Sequence, residues 1–382
     1  MGLMKGNKTG NGYANVTCDY DVCPIEDYVN EIEDYVKPEL FEWFVIVLFA
    51  VVFIVGIVGN FLVCFAVWRN STMRNFTNYF IVNLAVADFL VVVLVLPPTL
   101  VHDVMESWFI GREMCKVLQF LQVVSVSVSV LTLSAISVER WYAICLPLKF
   151  KTTANRTRNM IIIIWIISII IAIPEAVFMD THRTVPANVS DLLIICRPTD
   201  PDKQQHYQLF VMIGLYFIPG GLLAVAYIHI VIVLWRNQIP GAVECSSQPM
   251  DQKIQSRRRA AKMLIAVVVC FFVCYFPVHL LNILRYTQQL HSLSPTLTRV
   301  LALGSHFLCY FNSALNPVIY NFMSGKFRKE FRDACSCCLS RGRPPKSPCE
   351  SYRYSYSNAN NTRTEQFSLT TMSPKHHSER SA

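Results

Sequence analysis

CKVLQFLQVVSVSVSVLTLSAISVERWYAIC, residues 115–145, decides the fold. The run is long and apolar enough to cross a bilayer as one helix. Cys115, Gln119, Gln122, Val126, Ser129, Leu133, Ile136 and Arg140 recur at alternating spacings of four and three, which sets them along one helical face. The 18 residues from Gln122 to Arg140 rise roughly 27 Å at 1.5 Å each, close to the thickness of the hydrocarbon core. One rigid helix therefore links a polar site at one membrane face to a charged site at the other.

Six further apolar stretches lie around it, at about 44–68, 78–101, 159–179, 206–234, 260–284 and 297–322. Of the 382 residues, 53% are hydrophobic and only 16% charged, with a mean hydropathy of +0.36. Ordinary soluble domains carry about a quarter charged residues, so a soluble enzyme of the usual kind is excluded. Seven spans of about 20 residues each leave room for short loops and two tails. The net charge of +8 does not indicate nucleic-acid binding, because the bases sit between apolar runs and not on one soluble face. The fold class is an all-α membrane protein: a seven-transmembrane helix bundle with a short amphipathic eighth helix around Gly325 to Phe331. Its parts are an N-terminal tail (1–43), the bundle (44–322), the amphipathic helix with a cysteine cluster (323–338) and a polar tail (339–382) expected to be disordered. No removable signal peptide is apparent, and the first span is expected to serve as signal anchor.

Bases cluster in alternate loops: Arg69 and Arg74; Lys149, Lys151, Arg156 and Arg158; Arg236, Lys253, Arg257, Arg258, Arg259 and Lys262; then Lys326, Arg328, Lys329 and Arg332. The positive-inside rule places these loops in the cytosol and the N-terminus outside, as in a multi-pass plasma-membrane protein. Sequons at Asn7, Asn15 and Asn188 then face the glycosylating side. Most of the 14 cysteines lie in spans or in the tail, so they make no disulfide framework. Cys115 and Cys196 are placed to join across the outer face, and Cys18 lies close enough to Cys23 to bridge. Cys335, Cys337 and Cys338 are candidates for palmitoylation, the alternative being unmodified thiols.

An ionisable group inside a span is a functional hypothesis by default. Asp88 lies mid-span, within reach of Asn60, Ser129, Asn312, Ser313 and Asn316, a set suited to a sodium ion. The alternative is a protonated or hydrogen-bonded structural Asp. His306, Tyr310, Ser313 and Pro317 form a second polar stripe in span seven, and polar residues at matching depth on several spans suggest a water-filled pocket.

Asn60, Leu84 with Asp88, Cys115, Glu139-Arg140-Trp141, Trp165, Pro219, Cys274-Tyr275-Phe276-Pro277 and Asn316-Pro317-Val318-Ile319-Tyr320 occur in order and at proper depth. Together they resemble the rhodopsin-like class of G-protein-coupled receptors over roughly residues 40 to 338. The stretches NYFIVNLAVADFLV (78–91), LQVVSVSVSVLTLSAIS (121–137), ERWYAICLPLKFKTTANRTRN (139–159) and SGKFRKEF (324–331) are similar to the orexin and allatotropin branch of the peptide receptors. Thr99, Asp103, Asn282, His306 and Tyr310 match the orexin receptor pocket, and Tyr275 replaces the commoner Trp as it does there. Gln122 stands where amine receptors carry an Asp, which argues against an amine ligand. Glu139 in place of Asp, and Glu175 in place of Gln, depart from the orexin pattern and tilt the resemblance toward an allatotropin-type receptor. Arg257 stands where some receptors have a Glu that locks the span-three Arg, leaving Arg140 to rely on Glu139.

The resemblance implies an amidated neuropeptide held by Thr99, Asp103, Gln122, Val126, Glu175, Val278, Asn282, His306 and Tyr310. It implies activation through Glu139, Arg140, Tyr227, Phe271, Tyr275, Pro277, Pro317 and Tyr320. The implied partners are a heterotrimeric G protein of the Gq class with Gs as a second, arrestin and receptor kinases at the tail, and membrane lipid. No cofactor is expected beyond a sodium ion at Asp88. Independently, Ile25, Tyr28, Val29, Ile32, Tyr35 and Val36 fall on one helical face in a segment, 19–42, that holds nine acids against one base. Such a helix would attract a basic peptide, or else serve as a solvated anchor. A transporter or channel remains the alternative class, with no repeat in its favour. No hydrolase or zinc-protease motif lies within the spans.

Overall fold

The computed structural model describes residues 29–30, 37–146, 154–184, 193–236, 248–287 and 289–339. Asn7, Asn15, Asn188, Cys18, Cys23, most of the acidic N-terminal segment and the tail from 340 onward lie outside the described residues. So do the side chains of Cys337 and Cys338.

Among the described residues seven long helices follow in order: α1 (Leu40–Arg69), α2 (Phe76–Met105), α3 (Arg112–Cys145), α4 (Ala154–Phe178), α5 (beginning at Pro201 and ending at Arg236), α6 (Gln248–Tyr286) and α7 (Pro295–Met323). A shorter helix, α8 (Gly325–Leu339), closes the described chain. Local chemistry fixes where they start. Asn75 accepts from the Asn78 N–H at 3.0 Å to cap α2. Asp200 and Ser294 do the same for Lys203 and Leu297, each followed by a proline whose missing N–H costs nothing in a first turn. Glu42 accepts from the Glu39 N–H at 2.8 Å to complete a capping box on α1.

Two helices are not regular. A π turn occupies Val91–Val95 in α2, just before Pro97 and Pro98, and another occupies Ile213–Phe217 in α5, just before Pro219. Each proline lacks the N–H that a regular helix needs, and a widened turn absorbs the mismatch.

Some of the large apolar side chains are buried in clusters and others face outward. Phe80, Leu84, Val128, Leu133, Ile136, Leu223, Ile230, Leu264, Phe271 and Tyr320 form a continuous core. A second cluster, with Phe49, Val92, Trp108 and Tyr310, packs around Cys115 and Cys196. Ile162, Ile163, Ile166, Ile170 and Ile173 of α4 instead point outward and exposed, as they do where the solvent is lipid. Six of the described helices are long and apolar enough to cross a membrane. α7 has the length, 29 residues, but Ser305, Asn312, Ser313 and Asn316 on its buried side lower its hydropathy.

Between α4 and α5 the chain forms an antiparallel hairpin, β1 (Met179–Arg183) with β2 (Ile194–Pro198), pairing Thr181 with Cys196. The sequence reading saw only a loop here. The predicted disulfide from Cys115 to Cys196 is present, with the Cα atoms 5.7 Å apart, and fastens the hairpin to the start of α3.

Candidate functional site

At the hairpin end a cavity of about 160 Å³ opens between α2, α3, α4, α5, α6 and α7. Thr99, Asp103, Gln122, Val126, Glu175, Val278, Asn282 and His306 all line it, so eight of the nine residues picked from the sequence as ligand contacts surround one space. Tyr310 does not line the cavity. It is buried beneath, edge-on to Phe49 at 6.1 Å, because the α7 face that carries it turns toward α1.

Two of the eight already engage each other: His306 Nδ1 lies 2.7 Å from a carboxylate oxygen of Asp103, joining α7 to α2. Glu175, at the other side, accepts from the side-chain amide of Gln204 at 3.1 and 3.2 Å and from that of Gln208 at 3.4 Å. Gln204, Gln208, Gln119, His102 and His279 also line the cavity. At the start of α3, Arg112 grips Asp180 of β1 with two hydrogen bonds of 2.7 Å and holds that carboxyl well below the usual carboxylate range.

Below the cavity Tyr275 stacks on Phe271, ring centroids 4.6 Å apart. Tyr275 touches the cavity while Phe271 belongs to the core, so the pair bridges them. At mid-depth Asn316 donates to Asp88 at 2.7 Å, and Asn60 donates to the carbonyls of Gly56 at 2.9 Å and Ser313 at 3.0 Å. The side-chain oxygens of Asn60, Asn312 and Asn316 are buried without a hydrogen-bond donor among the described residues, and Ser129 is buried too. Spare acceptors near a carboxylate fit a small hard cation.

At the far end of α3, Arg140 reaches Glu139 at 3.2 Å and also contacts the Thr77 hydroxyl, which itself lies 3.4 Å from the Glu139 carboxylate. Thr77 thus joins Glu139 in holding Arg140, where the sequence leaves Arg140 to rely on Glu139. Arg257 is exposed. Arg140, Thr77, Arg259, Met263 and Lys326 line a second cavity of about 750 Å³. The Tyr227 hydroxyl is buried without a hydrogen-bond partner among the described residues, and Tyr320 stacks on Phe327 at 5.5 Å. Pro277 and Pro317 lie inside α6 and α7, where each removes one helical hydrogen bond. Cys335 is exposed on α8.

Residues 59–320 match the family model of the 7 transmembrane receptor (rhodopsin family). The chain belongs to the rhodopsin family of seven-transmembrane receptors. It is therefore a multi-pass membrane receptor and not an enzyme. It is 30% identical over 303 residues to a QRFP-like peptide receptor of Branchiostoma floridae, covering 78% of this chain and 79% of that protein. It is 29% identical over 326 residues to the substance-P receptor of Cavia porcellus, covering 84% and 78%.

For such a receptor the important relationship is that two of the cavities lie at opposite ends of α3. Gln122 sits in the first and Arg140 in the second, with a buried polar cluster between them. What the sequence did not reveal is the second layer: Thr77 beside Arg140, and the two glutamines that hold Glu175. Single polar residues at helix ends carry no periodic signal, whereas the residues of α3 do.

Proposed function

We propose that this receptor responds to an amidated neuropeptide of allatotropin type and relays binding to a heterotrimeric G protein, through Gq and secondarily Gs. The observation that carries the reading is the cavity in which Gln122, Asn282 and His306 converge, amides and an imidazole suited to a peptide's terminal amide and backbone. Both relatives are named for peptide receptors. The hairpin end faces outward and the Arg140 end the cytosol, as the distribution of Lys and Arg supports.

Thr99, Val126 and Val278 line the floor of the pocket, and Tyr310 supports it from beneath. Binding favours the conformation in which α6 pivots at Pro277, Phe271 and Tyr275 repack, and α7 adjusts at Pro317. Arg140 then leaves Glu139 and joins Tyr227 and Tyr320 in opening the cytosolic cavity to the G protein. Each ligand must bind the active state better for the two ends to be coupled. A sodium ion at Asp88, Ser129, Asn312 and Asn316 stabilises the resting state. Arrestin and receptor kinases act on the tail, Cys335, Cys337 and Cys338 carry palmitate, and Asn7, Asn15 and Asn188 carry glycans.

A calcium and cyclic AMP assay against a panel of amidated neuropeptides tests the reading. Gln122→Ala and His306→Ala should each weaken the response to the active peptide at unchanged surface expression. If both leave potency unaltered, the pocket assignment fails. If orexin-type peptides act where allatotropin-type peptides do not, the receptor belongs to the neighbouring type.

A further inference from the structure

The two acids of the upper cavity are in different chemical situations. Asp103 has the His306 imidazole at 2.7 Å and can share its charge with it. Glu175 has only the neutral amides of Gln204 and Gln208, and among the described residues no Lys, Arg or His pairs with it. Amide donors solvate a carboxylate without compensating its charge, and a buried charge lacking a counter-charge is costly. The other two cavity histidines are occupied elsewhere: the His102 ring packs on Trp108 and the His279 ring on Tyr216, with centroids 5.5 and 4.5 Å apart.

A second feature of the same corner points the same way. Gln204, 4% exposed, spends its amide N–H groups on Glu175, and its own carbonyl oxygen Oε1 is buried with no donor among the described residues. Glu175 is likewise 4% exposed, yet both residues line the cavity. A carboxylate held only by neutral amides and an amide oxygen with no donor among the described residues thus meet in one corner of the cavity lining. A guanidinium, with five N–H donors in a planar fork and a fixed positive charge, fits that deficit better than an ammonium or a neutral group.

We propose that Glu175 and Gln204 form a guanidinium subsite of the peptide pocket. The ligand's arginine side chain docks between α4 and α5 against Glu175 and the Gln204 carbonyl, and not against Asp103. Gln208 is a positioning residue that orients the carboxylate. The inference rests on the peptide reading above for its biological meaning, but its chemistry is testable without knowing the natural ligand.

The test uses full-length receptor in lipid nanodiscs, with Nα-acetyl-argininamide and its uncharged analogue Nα-acetyl-citrullinamide as probes and ligand-observed NMR titration as the readout. The arginine probe should bind about tenfold tighter than the citrulline probe, the difference expected of one good charge-assisted contact. Glu175→Gln should bring the ratio close to one, while Asp103→Asn leaves it intact. Glu175→Asp keeps the charge but retracts it by one methylene, so it should weaken the arginine probe yet still rank it above citrulline. Indistinguishable binding of the two probes to the natural receptor, or a preference that survives Glu175→Gln or vanishes in Asp103→Asn, overturns the subsite. A peptide panel that yields no agonist would sink the peptide reading and leave the fragment result standing. Equal fragment binding alongside an active peptide would sink the subsite alone.

Discussion

The indole N–H of Trp141 donates to Nδ1 of His229 at 2.7 Å, tying α3 to α5 one residue from Arg140 and two from Tyr227. At 3.6 residues per turn, positions 227 and 229 lie about 200° apart around α5. Rotation that swings the partnerless Tyr227 hydroxyl toward Arg140 must therefore carry His229 away from Trp141. The π turn at Ile213–Phe217 is where α5 has the slack to rotate. A hydrogen bond between membrane helices is worth roughly 0.6 to 1.7 kcal/mol, so losing it should raise ligand-free signalling about three- to twentyfold. Trp141→Phe and His229→Leu should each do so, and the double variant no further, when basal second-messenger output is compared at matched surface expression. Additive effects, or none, would refute the link.

Gly59 marks a close approach of α1 to α7. A Cβ there would lie 2.7 Å from Cβ and 2.8 Å from Cγ of Pro317, in a ring that cannot rotate aside. Gly59→Ala should destabilise the receptor by about 1–3 kcal/mol through overpacking. Gly221→Ala, with nothing within 4 Å of the new methyl, should be neutral or stabilise the helix by up to about 1 kcal/mol. Thermal melting of the two purified variants separates the cases, and equal melting temperatures would contradict the steric argument.

Arg299 joins three helices at the hairpin end. It pairs with Glu42 of α1, with Glu106 just past α2 at 3.2 Å, and donates to the Val104 carbonyl at 2.8 Å. All three charged side chains are at least nine-tenths buried. Arg299→Leu withdraws the guanidinium from two buried carboxylates and should cost about 3–5 kcal/mol. Loss of surface expression is the expected readout. The combined Glu42→Gln, Glu106→Gln, Arg299→Leu variant, which leaves no buried charge behind, should recover part of it. No recovery would mean that packing, not charge, dominates.

The bundle was legible because bilayer length and helical period are strong constraints, and α3 showed both at once. The pocket was legible as far as its residues lie on long periodic faces, as Gln122, Val126 and His306 do. Gln204 escaped because the apolar stretch in the sequence begins at about 206, while Asp200 and Pro201 start the helix earlier. The hairpin escaped because five-residue strands are too short for alternation to stand out. The π turns had a sequence cue, Pro97-Pro98 and Pro219, but a proline alone does not say whether a helix kinks or widens.

The pairing of Arg112 with Asp180 has a pH dependence whose sign is fixed by its chemistry. The hydrogen bonds from Arg112 hold the Asp180 carboxyl well below the ordinary value of about 3.9. A carboxyl depressed in the folded state contributes stability above its unfolded value, and that contribution is lost only as pH falls through the folded one. The pair should therefore act equally at pH 7.5 and pH 5.5. The Arg112 side chain is 60% exposed, so its effect is small and weakens with salt. Asp180→Asn should lower the melting temperature of the purified receptor slightly and by the same amount at both pH values. The gap to wild type should begin to close only below about pH 4. A gap that narrows between pH 7.5 and 5.5 would place the titrating group elsewhere, on a histidine and not on this carboxylate, since only imidazole ordinarily changes charge in that interval.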